Sequence, residues 1–202
     1  MSEKMFFAKS DKNNNYIEYD GITFEIVRRN VRYFRVEFKN KIPRMILPYG
    51  SKPEKILVDN FPRIRKKYEG LLLLVENAER LDFIKREEKE FETLVDSFIN
   101  LYSIELKVKV SSVKYRKMRR MWGNCRSTGV ITLNSRLSML PEKIISYIVY
   151  HEMLHLSERG GHTVKFRKRM KEKFADQKKI EELLKTYFVK FDFEDVNLKN
   201  SL

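Results

Sequence analysis

The chain has 202 residues, enough for one domain with a proper core or for two small ones. Its 42 Lys and Arg against 28 Asp and Glu leave a net charge of +14, a field that attracts polyanions, nucleic acid being the commonest in a cell. With 42% hydrophobic and 35% charged residues and one cysteine, the composition describes a soluble globular protein, excludes an internal disulfide framework and fits a reducing compartment.

Residues 1–11 hold no apolar stretch long enough for a signal peptide, and the longest aliphatic run, residues 71–75, is too short to span a bilayer. A cytoplasmic protein with no membrane association is expected. Basic side chains concentrate at residues 63–67, 114–120 and 165–173, which makes non-specific nucleic-acid contact an expectation, although no zinc-finger, RRM or KH signature is present.

In chain order, residues 16–47 read as strands. Tyr16-Ile17-Glu18-Tyr19 leads into Asp20-Gly21, a hairpin turn signal, followed by alternating Ile22, Phe24 and Ile26. A second turn near Arg29-Asn30 precedes extended residues 33–38, and Pro43 opens Arg44-Met45-Ile46-Leu47. The pattern predicts an antiparallel β-meander of about four strands. Helical territory begins at Ser51 with Pro53 near the first turn, and Pro62 is expected to divide it into two helices. A further helix is expected over residues 81–101, with Phe83, Phe91, Leu94, Val95, Phe98 and Ile99 on its apolar face.

Leu106, Val108 and Val110 alternate, Val113-Lys114-Tyr115 follows, and Val130-Ile131-Thr132-Leu133-Asn134 is another short strand. A helix is expected over residues 141–156, then a basic helix opened by His162, then one more over roughly residues 177–187, with residues 196–202 loose. Strands, helices, strands and helices in succession indicate an α+β protein. We divide it into an N-terminal β-hairpin and helical region, residues 1–103, and a catalytic region, residues 104–202, expected to pack together as one compact unit.

All three histidines, His151, His155 and His162, fall in a twelve-residue window. His151-Glu152-Met153-Leu154-His155 is an H-E-x-x-H motif, whose two imidazoles stack at i and i+4 on one helix face and can grip one metal ion. Glu152 between them faces the water such an ion carries, as a general acid/base. Gly160-Gly161 can break the helix and bring His162 back as a third ligand, leaving one tetrahedral position open, as hydrolytic zinc sites require. The rest of the helix is mostly apolar, and two His and a Glu buried in it need partners that a metal supplies. Glu158, at i+7 from His151, and the more distant Glu181 and Glu182 are rival ligands. Cys125 reads as a small buried residue.

Several motifs in fixed order carry a resemblance. Met118-Arg119-Arg120-Met121-Trp122-Gly123-Asn124-Cys125, Gly129-Val130-Ile131-Thr132-Leu133-Asn134, Leu140-Pro141, the His151 to Leu156 run and His162-Thr163-Val164-Lys165-Phe166 resemble the YgjP-like metal-dependent hydrolases. Members often have a basic residue where this chain has Met121, and a Ser where it has Asn124. The resemblance implies a zincin-like fold in which a short sheet precedes the H-E-x-x-H helix. It also implies Zn2+ held by His151, His155 and His162, with Glu152 as the catalytic acid/base. The family is similar to the SprT/Spartan and WLM metalloproteases, which process proteins crosslinked to DNA, so a protein or peptide substrate met near nucleic acid is the implied partner.

Trp122, Asn124 and Arg119 are candidate substrate contacts, with Trp122 either flooring the cleft or in the core. Arg116, Arg119, Asn124 and Tyr150 are of a type to stabilise a tetrahedral intermediate. Two other functions compete: a metal-dependent endoribonuclease of YbeY type, against which Glu152 argues, and a nucleic-acid-binding adaptor whose structural zinc would need Cys125 as a fourth ligand.

Overall fold

A computed structural model describes residues 15–38, 42–158 and 160–200, the side chains of residues 193 and 195–200 excepted, in two compact units. The first unit is Met1–Glu76 and the second Asn77–Leu202.

In the first unit, β1 (Tyr16–Tyr19) and β2 (Ile22–Arg28) form the expected hairpin. Its turn places both Asp20 and Gly21 at positive φ, 51° and 77°, the backbone that a two-residue hairpin of right-handed twist requires. With β3 (Arg35–Glu37) and β4 (Arg44–Leu47) the sheet order is β1-β2-β4-β3. The outer pairings are antiparallel, but β4 pairs in parallel with β2, so the strands do not follow one another as a simple meander. The reason lies in β4. Met45, Ile46 and Leu47 are fully buried and take a central position, leaving the short polar β3 at the edge.

Helix α1 (Pro53–Glu79) covers this sheet with Leu57, Phe61 and Ile64 and runs unbroken through Pro62. Pro62 withholds one hydrogen bond from the Val58 carbonyl. Both residues are exposed, so water can satisfy that group while the buried face stays continuous.

In the second unit, residues 81–87 are not helical. Phe83 stacks on Phe191 at 4.4 Å, and Arg86 donates to the carbonyls of Ser138 and Leu140. Helix α2 therefore starts late, at Glu88, and runs to Leu106, where Lys107 adopts the left-handed conformation at φ 56°. It packs against α3, and the compact units divide between residues 76 and 77. Strands β5 (Ser112–Arg116), β6 (Gly123–Cys125) and β7 (Val130–Asn134) form a sheet of order β5-β7-β6, with β5 parallel and β6 antiparallel to β7. Val108 and Val110 pack on the core from outside the strand.

A 3-10 turn (Ser135–Met139) leads to α3 (Glu142–Ser157), then α4 (Val164–Lys173) and α5 (Gln177–Asn200). Helix α5 extends well past Tyr187 because Phe188 and Phe191 continue its apolar face onto Trp122. It remains helical through Asn200, and of the expected loose end only residues 201 and 202 lie outside the described residues. The α+β class is as the sequence implies, while α1 is one helix where two are expected and β6 is an added strand. Among the described residues no helix is long and apolar enough to cross a membrane.

Candidate metal centre

Pro141 caps α3, Glu142 sits favourably in its first turn, and nine of its residues are buried, Glu152 among them. Such a helix is held by the core on nearly every side, which fixes the direction of whatever it presents. His151 and His155 lie one turn apart with ring centroids 5.1 Å apart. Beyond Ser157 the chain reverses through Gly160 and Gly161, at φ 108° and 76°, a backbone that side chains other than glycine rarely adopt. Thr163 then caps α4 by accepting from the Phe166 amide at 3.2 Å.

That reversal returns His162 to the other two. Its Nε2 lies 3.0 Å from His151 Nε2, and one nitrogen from each of the three rings falls within 4.8 Å of the others. Phe166, buried beneath them, contacts all three imidazoles at centroid distances of 5.0, 4.6 and 5.0 Å. The ring wall is apolar, so it fixes the imidazoles without competing for their nitrogens.

Burial, followed by the neighbouring His155 and His162, lowers the His151 pKa to about 4 against a weaker opposing pull from Glu181. Burial, then His162, lowers that of His155. Neutral imidazole is the ligand form, so this donor set suits a divalent ion of the zinc class.

Glu152 follows His151 in α3 and is buried, and burial raises its pKa to about 7. Its carboxyl lies against β6. A Cβ on Gly123 would fall 2.6 Å from Glu152 Oε1 and 2.8 Å from Cδ, so only glycine lets the strand come this close. The loop before β6 is tied down by buried Asn134. Its amide donates to the carbonyls of Met118 and Met121 at 2.8 and 2.9 Å, and its Oδ1 accepts from the amides of Met118 and Arg136. Gly123, Asn134 and Phe166 stand in motifs legible in the sequence, but their spacing did not disclose these positioning roles.

The rival ligands are engaged elsewhere. Glu158 accepts from Arg169 at 2.8 Å and pairs with Lys165 at 3.0 Å, and those bonds hold its pKa down. Glu181 accepts from Tyr147 at 3.0 Å and Gln177 at 2.7 Å, and Glu182 is exposed. Among the described residues the three histidines group without Cys125, whose half-buried thiol is pushed up to about 11 by burial and the Glu152 charge.

Trp122 is buried in the core and stacks on Phe188 at 4.0 Å. Tyr150 is likewise buried, against Tyr102 and Phe174. Arg116, Arg119 and Asn124 are exposed, and strand alternation puts Asn124 on the face of β6 opposite Gly123 and Cys125.

Two solved structures align with part of this chain. The metallopeptidase zymogen of Pyrococcus abyssi abylysin aligns at 23% identity and TM-score 0.42, covering 46% of this chain and 93% of that one. The metallopeptidase zymogen of Methanocaldococcus jannaschii jannalysin aligns at 20% and 0.40, covering 50% and 89%. No curated protein matches the sequence. The YgjP-like metallopeptidase domain, however, matches residues 61–187, more than half of the chain, and contains every residue of the histidine site. The protein belongs to the YgjP-like metallopeptidase family, and so to the metal-dependent hydrolases.

Proposed function

We propose that the protein is a zinc metallopeptidase in which His151, His155 and His162 hold the ion and Glu152 moves the proton. The observation that carries the reading is the convergence of three imidazole nitrogens within 4.8 Å beside a buried carboxyl. Zinc bound there supplies Lewis-acid activation of water and of the scissile carbonyl.

Glu152, whose carboxyl burial makes more basic than an exposed one, can take the proton of the attacking water and return it to the leaving amine. Gly123 keeps that carboxyl seated between β6 and α3. A peptide rather than RNA is favoured by the family and by the place of β6. It is an edge strand in contact with Glu152, and an extended chain can pair with such an edge. The single cysteine fits a reducing, cytoplasmic setting.

The test is incubation of zinc-loaded protein with an unstructured protein pool and, separately, an RNA pool, with and without chelator. Chelator-sensitive cleavage of the protein pool alone is expected. Cleavage of RNA alone would transfer the reading to an endoribonuclease.

A further inference from the structure

The histidine site leaves unexplained a cluster at one end of the first unit's sheet. Strands β2 and β4 are parallel, and Arg28 pairs with Leu47 at their common C-terminal end. Arg35 of the antiparallel β3 pairs with Ile46, so Phe34 and Tyr33, preceding it, continue toward the same end as Pro48 and Tyr49. Two bonds close the cluster: the Arg29 amide donates to the Leu47 carbonyl at 2.9 Å, and the Arg28 guanidinium donates to the Ser51 carbonyl at 2.9 Å. The register thus gathers Arg28, Arg29, Arg32, Tyr33, Phe34 and Tyr49 at one edge.

Three of these are aromatic rings turned out to water: Tyr33 is 70% exposed, Tyr49 71% and Phe34 36%. Exposing three large rings together lacks any folding benefit, since none of them joins this unit's core. The arginines are unusual too. Elsewhere on the sheet Arg35 pairs with Glu37 and Arg44 with Glu25. Arg28, Arg29 and Arg32 have no carboxylate partner among the described residues, and Arg32 lies over the Tyr33 ring at 5.3 Å.

We infer that this end of the sheet binds single-stranded nucleic acid, bases stacking on Tyr33, Phe34 and Tyr49 while Arg28, Arg29 and Arg32 meet the phosphates. Flat rings interleaved with uncompensated guanidinium groups match the two faces of a single strand. In a duplex the base faces are already stacked, so the rings would gain nothing there. The chain's net charge of +14 assists the encounter but does not select single strands.

The experiment uses the whole protein and fluorescence anisotropy of a short labelled oligo-dT and oligo-U, titrated over a range of salt. Replacing Tyr33 and Tyr49 with Ala should weaken binding by roughly tenfold per ring while leaving the salt slope unchanged. Replacing Arg29 and Arg32 with Ala should flatten that slope by about 1.4, the contribution of two phosphate contacts on a single strand. Removing the same charge on α4, at the exposed Arg167 and Lys171, should change affinity less than twofold. The inference is overturned if the α4 pair costs as much as the arginine pair, or if the tyrosine variant binds like wild type. It is equally overturned if a duplex, an acidic peptide or an anionic vesicle is bound more tightly than the oligonucleotides.

Discussion

Gly123→Ala isolates the contact between β6 and Glu152, the proposed proton carrier. The added methyl would lie 2.6 Å from Glu152 Oε1, 2.7 Å from Cγ and 2.8 Å from Cδ. Ordinary carbon contacts settle at about 3.5–4.0 Å, so Glu152 must retreat by about 1 Å. Because Cγ is crowded as well as the carboxyl end, a small rotation of the carboxyl does not relieve the clash. A misplacement of about 1 Å costs roughly 10²-fold in rate, or about 2.7 kcal/mol on the barrier.

The atoms the methyl meets first all belong to Glu152, so zinc content should stay at that of wild type. The assay is kcat/KM on an internally quenched peptide, with metal content measured on the same sample. Overpacking costs about 1–3 kcal/mol of stability, so rates are compared well below the melting temperature. A Gly123→Ala enzyme within twofold of wild type would refute the assignment of Gly123 as the residue that seats Glu152.

Protonated Glu152 favours folding, because its folded pKa of about 7 exceeds the unfolded 4.5, and that stability is lost as pH rises through this window. Metal-free Glu152→Gln should therefore be more stable than wild type by about 2–3 kcal/mol near pH 8, with the difference vanishing toward pH 4.5 in denaturant titrations. Phe166→Ala removes the ring that touches all three imidazoles. It should cost about 3–5 kcal/mol of stability and at least about tenfold in zinc affinity, read by competition with a chromophoric chelator. Asn134→Ala strips three hydrogen bonds from the loop before β6 and one from Arg136, and should destabilise by about 3 kcal/mol in thermal unfolding. Glu158→Gln should retain one zinc per chain by elemental analysis, since its carboxylate serves Arg169 and Lys165; loss of the metal would make it a ligand.

The grouping of the three histidines was legible because its geometry is local: i and i+4 on one helix, then a Gly-Gly turn of a few residues. The wider scaffold was less so, since distant contacts decide it. Pro62 reads as a helix break, yet the buried row Leu57, Phe61 and Ile64 carries α1 through it. With Met45, Ile46 and Leu47 buried, β4 takes a central place beside β2, a choice strand alternation cannot register. Gly123-Asn124-Cys125 has poor strand propensity and becomes β6 next to β7, behind a loop tied by Asn134. Trp122 is ambiguous from sequence until Phe188 and Phe191 arrive from the far end of α5 to bury it. The role of Gly123 became visible only once β6 was placed against Glu152.

The most direct measurement is the rate of peptide cleavage by Glu152→Gln protein, with bound zinc quantified in the same sample. The account predicts one zinc per chain and a rate lower by at least about 10²-fold, because the ion is held by His151, His155 and His162 while the proton carrier is gone. A zinc-loaded variant that cleaves at the wild-type rate would contradict it.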